Sequence, residues 1–151
     1  MVFFRNAKLI FACSVFLLLS ACASSYAKRY AEVSAEIPKL KATEGRIWLY
    51  RNSFVGTAAS PNVMLNNRVI ATALPGAFFY VDRRPGNYEV ATSIEAEKKL
   101  SIALSAGEEK FVRLGANFES KATRVFPELV DAKIGRTAIG SGDLFYSRLK
   151  M

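Results

Sequence analysis

The stretch Lys99–Phe118, KLSIALSAGEEKFVRLGANF, holds two alternating runs on either side of a turn. Leu100, Ile102 and Leu104 fall on one side of an extended backbone, and Ser101 and Ala103 on the other, because successive side chains of a strand point to opposite faces. Ala106-Gly107-Glu108 turns the chain. Val112, Leu114, Ala116 and Phe118 then alternate against Phe111, Arg113, Gly115 and Asn117. Apolar residues at period two indicate half-buried strands rather than helix.

The same pattern extends in both directions. Upstream, Gly45–Arg51 alternates Ile47 and Leu49 against Arg46, Trp48 and Tyr50. Asn62–Asn66 and Arg68–Leu74 flank Asn66-Asn67, a pair suited to a tight hairpin because asparagine tolerates positive φ. Pro75-Gly76 ends that hairpin, Ala77–Val81 is a short aromatic strand, and Arg84-Pro85-Gly86-Asn87 is a turn before Tyr88–Ile94. Downstream, Ala122–Leu129 reads as a last strand, which Pro127 confines to an edge or a bend. Asp131 is placed to cap a short helix over Ala132–Ala138, and Gly140-Ser141-Gly142 stops it from growing long. Seven or eight short strands with turn signals between them predict an all-β fold, a single antiparallel β-sandwich of prealbumin or immunoglobulin type. A short C-terminal helix completes it.

The N-terminus carries a different message. Arg5 and Lys8 precede an apolar run, Leu9–Leu19. Eleven helical residues rise about 16 Å, roughly half a bilayer core, which suits a secretory signal better than a spanning helix. An uncleaved span is the alternative, since no charge interrupts Leu9 to Ala27. Leu19-Ser20-Ala21-Cys22 resembles the bacterial lipoprotein box. That resemblance implies cleavage between Ala21 and Cys22, diacylglycerol on the Cys22 sulfur and an acyl chain on its new amine. Two or more chains hold a protein stably on a membrane where one does so only marginally. Ala23, in place of the aspartate that retains lipoproteins in the inner membrane of enteric bacteria, implies the outer membrane and a periplasm-facing position in the cell envelope. Cys13 would be discarded with the signal. The expected organisation is a signal peptide over residues 1–21, a lipidated N-terminus and flexible tether over 22–44, and a sandwich over 45–151. The tether contains Pro38 and a short helical turn near Tyr30–Glu36. Lys28 and Arg29 are either headgroup contacts or ordinary solvated charges.

Within the domain, Arg51-Asn52-Ser53-Phe54-Val55-Gly56, Asn62-Val63, Leu65-Asn66, Phe78-Phe79-Tyr80-Val81-Asp82 and Pro85-Gly86-Asn87-Tyr88-Glu89-Val90 follow one another. In that order they resemble the domain of unknown function 2846 family, small bacterial proteins of which many are classed as lipoproteins. The resemblance runs from about Gly45 to Ala132. The phenylalanine-rich strand and Pro-Gly-x-Tyr turn are also similar to PEGA and transthyretin-like modules, where they mark a hairpin. Arg83-Arg84 stands where the family more often has a second proline, which makes this turn more basic. The family implies a fold and a location, and no chemistry.

Composition narrows the chemistry further. The 151 residues include no histidine and two cysteines, which removes the Ser-His-Asp triad, the Cys-His pair and His-containing zinc sites. No cofactor or metal site is expected. Asp82, Glu89, Glu95, Glu97, Glu108, Glu109, Glu119 and Asp131 could in principle supply a carboxylate pair, but Glu89 and Glu95 on one strand stand about 20 Å apart and no spacing selects another pair. Gly140-Ser141-Gly142-Asp143 lacks the strand and the following Lys-Ser/Thr of a phosphate loop. The chain is therefore expected not to be an enzyme.

The 21 Lys and Arg exceed the 13 Asp and Glu. Arg46, Arg51, Arg68, Arg83, Arg84, Lys98, Lys99, Lys110, Arg113, Lys121 and Arg124 are spread through the domain, several of them at strand ends and turns where they would ring the sandwich. They either draw in an anionic partner such as lipopolysaccharide or guard edge strands and keep the domain soluble. An envelope location argues against nucleic acid. Trp48 and Tyr50 have two readings: an exposed strip that stacks on a glycan together with Arg83 and Arg84, or core. Phe78 and Phe79 point to opposite faces, so one is outside or covered by the C-terminal segment. Ser53–Ser60 is a partner-receiving loop or a plain connection. The first functional expectation is a membrane-anchored protein-interaction module with an envelope protein as partner. The alternative is a glycan- or lipopolysaccharide-binding module.

Overall fold

In the computed structural model, residues 27–52, 59–119 and 122–150 are described. Among the described residues nine strands form two sheets. In chain order they are β1 (Gly45–Tyr50), β2 (Asn62–Leu65), β3 (Arg68–Thr72), β4 (Ala77–Arg83), β5 (Gly86–Thr92), β6 (Glu95–Leu104), β7 (Glu109–Glu119), β8 (Ala122–Val130) and β9 (Phe145–Tyr146). Helix α1 (Tyr30–Val33) precedes them, and α2 (Ala132–Gly140) lies between β8 and β9. The larger sheet has the order β8-β7-β1-β4-β9 and the smaller β3-β2-β5-β6. The fold is an all-β sandwich, and all eight strands read from the sequence are present.

Pairing is antiparallel except at two places, β1 with β7 and β4 with β9. Asn66 and Asn67 have φ of 48° and 62°, the positive pair that a two-residue hairpin turn requires. At the Pro85-Gly86 turn the Tyr88 hydroxyl donates to the Arg84 carbonyl at 2.7 Å, fixing the turn to the strand that leaves it. Pro127 lies on β8, an edge strand, as its missing N–H demands. Asp131 caps α2, its Oδ1 accepting from the Lys133 N–H at 2.8 Å.

Between the sheets Ile47, Leu49, Val63, Leu65, Phe79, Val81, Val90, Ile102, Leu104, Val112, Leu114 and Val125 form the main core. The alternation at Leu100–Leu104 and Val112–Ala116 thus points inward as expected. Ile94 departs from it, lying 44% exposed in the turn after β5. A second apolar layer occupies the outer face of the larger sheet: Val33, Trp48, Tyr50, Phe78, Phe111, Ile139 and Leu144. Both faces of this sheet are therefore covered, and all six residues of β1 are buried.

The cover consists of the two terminal segments. Val33, 2% exposed, and Tyr30 descend from α1, and Ile139 from α2. The carbonyl of Lys28 accepts from Tyr146 N–H at 2.7 Å and Arg29 bridges to Phe145. Part of the segment expected as a flexible tether, 22–44, is thus held on the sheet. Residues 28–37 dock, because Tyr30, Val33 and Ile37 recur at helical spacing and fill an apolar face. The C-terminal tail continues past β9 to the other sheet, with Lys150 N–H donating to Ile70 O at 2.8 Å.

α2 approaches β7 closely at Gly135, where a Cβ would fall within the Phe111 side chain. Replacement by alanine normally favours a helix by about 1 kcal/mol over glycine, but here overpacking costs about 1–3 kcal/mol. Gly135→Ala is expected to lower the urea midpoint. Gly140→Ala, where nothing lies within 4 Å of the added Cβ, leaves the midpoint unchanged or slightly raised.

Candidate functional site

The outer face of the larger sheet concentrates the polar and aromatic groups that chemistry could use. On β1, Arg46 points to the same side as Trp48 and Tyr50, two and four residues on. β4 brings Asp82 directly opposite Arg46, and β7 brings Glu109 beside it. The Arg46 guanidinium, 4% exposed, donates from Nε to Asp82 Oδ1 at 2.6 Å and from one terminal nitrogen to Oδ2 at 2.7 Å. The same terminal nitrogen reaches the Pro38 carbonyl at 2.8 Å. Its Cζ lies 4.3 Å from the Tyr80 ring centroid and 5.4 Å from that of Trp48. The hydrogen bond to Asp82 raises the Arg46 pKa further against the opposing effect of burial.

A cleft of about 150 Å³ opens beside this pair, lined by Tyr30, Trp48, Glu109, Phe111, Arg136 and Ile139. Trp48 Nε1–H donates to Glu109 Oε1 at 2.9 Å and Arg136 to Oε2 at 2.8 Å. Burial alone would push the Glu109 carboxyl up. Hydrogen bonds from Arg136 and Trp48, with the fields of Arg136 and Arg46, outweigh it and hold the group below the usual carboxylate range. Trp48 and Phe111 lie nearly parallel, and Arg136 stands 5.4 Å from the Phe111 centroid. Both cations near these rings thus already have carboxylate partners. The cleft is built as an interlock between sheet, α1 and α2.

Trp48 is 5% and Tyr50 1% exposed. They face away from Ile47 and Leu49 as the alternation requires, yet the terminal segments cover that face, so the exposed glycan-stacking strip is not formed. Phe79 joins the main core and Phe78 the outer layer under Tyr30 and Tyr146. Arg83 is half-buried, donating to the Asp82 carbonyl at 2.9 Å, and Arg84 is exposed beside Lys41, Thr43, Glu44 and Pro85. The structure does not bring Arg83 and Arg84 together with Trp48 and Tyr50 into one ligand surface. Cys22, Ala21 and residues 53–58 of the expected partner loop lie outside the described residues.

Arg46 and Arg51 depart from the expected basic ring, both being buried. One Arg51 terminal nitrogen donates to Ala59 O and Ala73 O, each at 2.6 Å, joining two loops at one end of the sandwich. Desolvation lowers its pKa. Their burial could have been suspected only from pairing register, which sets Arg46 across from Asp82. Among the described residues no group of three acidic or thiol side chains is arranged to hold a metal ion.

Residues 41–126 match the family described as protein of unknown function (DUF2846). The chain belongs to the DUF2846 family. The DUF2846 match spans β1 to the middle of β8, close to the Gly45–Ala132 stretch that carries the resemblance. An uncharacterized protein of Haemophilus influenzae is 27% identical over 128 residues, covering 83% of this chain and 76% of that protein. No solved structure matches significantly.

Two measurements separate the roles of these pairs in the DUF2846 domain. Asp82→Ala strands a buried guanidinium and is expected to cost about 3 kcal/mol. Glu128→Ala, which removes a partly exposed partner from Arg113, costs less than about 1 kcal/mol. The folded pKa of Glu109 lies below its ordinary 4.5, so its stabilisation is present above pH 4.5 and is lost as pH falls through the depressed value. Unfolding curves should show Glu109→Gln less stable than the native chain at neutral pH, the gap narrowing below pH 4.5.

Proposed function

We propose that this is a lipid-anchored bacterial envelope protein that performs no catalysis and presents its β-sandwich to another envelope protein. The observation that carries this reading is Leu19-Ser20-Ala21-Cys22 directly after the apolar run Leu9–Leu19. Cys22 supplies the sulfur for acylation, and the hydrocarbon of two or more chains anchors the protein without a spanning segment. Ala23 favours the outer membrane. Among the described residues no helix is long and apolar enough to cross a membrane.

The distribution of polar groups fits a binding role. Asp82, Glu89, Glu95, Glu108, Glu109 and Glu128 are each paired with a cation, and the pairs of Asp82, Glu89 and Glu128 join neighbouring strands. Among the described residues nothing covers Glu89, Lys99 and Ser101 on the smaller sheet, all exposed, and Val69 on its edge strand β3 is 44% exposed. That face is the surface offered to a partner. The glycan reading loses its aromatic platform with the burial of Trp48 and Tyr50.

Expression in a Gram-negative host followed by intact mass analysis tests the anchor. The mature native chain should begin at Cys22 and carry acyl mass. Cys22→Ser should retain its signal and lose the acyl mass. A native N-terminus at Met1, or a free Cys22 thiol, contradicts the reading.

A further inference from the structure

This inference rests on acylation at Cys22 and adds which end of the domain meets the bilayer. β9 runs parallel to β4, with Phe145 beside Ala77 and Tyr146 beside Phe78. Arg29 bridges Phe145 in the antiparallel sense, and the Lys28 carbonyl accepts from Tyr146 N–H at 2.7 Å. Followed backwards from Arg29 to Lys28, the chain therefore runs as β4 does, from Ala77 toward Arg83. It leaves the sheet edge headed for the end of the sandwich where Gly45 faces Arg83 and Gly86 faces Leu104. From the level of Phe78 to that of Arg83 is about 17 Å of strand. Six residues lead from Lys28 back to Cys22, at most about 21 Å drawn out. That length permits the approach; direction and charge select it.

Three pieces of chain form the surface of this end: the segment entering β1, the β4–β5 turn and the β6–β7 turn. Pro38 is fixed there by its bond from Arg46, and Gly107 N–H donates to the Glu44 carbonyl at 2.8 Å, joining the first piece to the third. Within 39–44, 84–87 and 105–107 every exposed residue is neutral or basic, the cations being Lys39, Lys41 and Arg84. Glu44 and Glu108 are half-buried and paired with Lys41 and Lys110. Among the described residues neither Lys39 nor Arg84 has a carboxylate within ion-pair distance. The opposite end differs. Glu97 and Asp143 are exposed near it, beside Lys98. β7 also runs on there to Glu119, past Arg113, which lies beside the last residue of β1, so that end offers no level face.

We propose that the sandwich stands on the membrane with its Lys39–Glu44 segment and its Arg84–Asn87 and Ser105–Gly107 turns against the headgroups. The occupant of this surface is the anionic leaflet that holds the protein's own acyl chains. A negatively charged leaflet attracts lysines and arginines held within about a Debye length of it. The Arg84 guanidinium offers a fork that matches a lipid phosphate, and the two lysines act as point charges. The β7–β8 hairpin then points away from the lipid, and the open face of the smaller sheet stands clear of it.

The test uses the acylated full chain in vesicles of phosphatidylethanolamine and phosphatidylglycerol. Ala106→Cys and Ser60→Cys, both exposed positions, place one fluorophore at the near or the far end. Quenching by a headgroup-attached quencher should be at least threefold stronger at Ala106 than at Ser60. Equal quenching, or stronger quenching at Ser60, overturns the orientation. Intact mass of the same samples separates the two failures: an unmodified Cys22 refutes the anchor itself, whereas an acylated chain without the expected pattern refutes the orientation alone. Replacing phosphatidylglycerol by phosphatidylcholine should lower the difference at least twofold, and its full persistence in those neutral vesicles overturns the charge contact. Lys39→Gln combined with Arg84→Gln should lower it likewise in the anionic vesicles, and unchanged quenching there shows that these cations do not make the contact.

Discussion

The five-stranded sheet is covered on both faces, and the rest of the molecule is organised around that constraint. A sandwich needs only its inner faces buried. Here the outer face of one sheet carries Trp48, Tyr50, Phe78 and Phe111, and burying a large side chain of this kind is worth about 1.5–3 kcal/mol relative to leaving it wet. The terminal segments provide the cover. Arg46 pins one of them, joining Asp82 on the neighbouring strand to the Pro38 carbonyl of the incoming chain while lying against Tyr80. A guanidinium in that position must be fully hydrogen-bonded to be tolerated in the interior. Its partners come from separate parts of the chain, so the pair specifies how the N-terminal segment lies on the sheet.

Strands, turns and the α2 cap were legible because they depend on local chemistry. Alternation identified the inner faces of β6 and β7, Asn66-Asn67 the hairpin, Asp131 the helix start and Pro127 the edge strand. The outer layer was harder to read, because it is assembled from segments more than a hundred residues apart, such as Val33 and Ile139. A signal was nevertheless present. Ile47-Trp48-Leu49-Tyr50 and Ala77-Phe78-Phe79-Tyr80-Val81 are uninterrupted apolar runs, the mark of strands buried on both sides. Reading them as alternating left the exposure of Trp48 open. Tyr30, Val33 and Ile37 were similarly concealed in a segment whose lysines, serines and proline suggested a linker.

The same cover shapes the functional reading. Of the two readings of Trp48 and Tyr50, it makes them part of a second core. The smaller sheet, with Val69, Glu89, Lys99 and Ser101 outward, is left as the open face. Glu109 ties the layers together, accepting from Trp48 on β1 and from Arg136 on α2.

Trp48, the single tryptophan, reports directly on this arrangement. Its emission in the mature chain should be blue-shifted and nearly resistant to acrylamide, and both properties should be lost when Val33→Asp weakens the docked segment. Red-shifted emission and free quenching in the native protein would contradict the covered sheet on which the account depends.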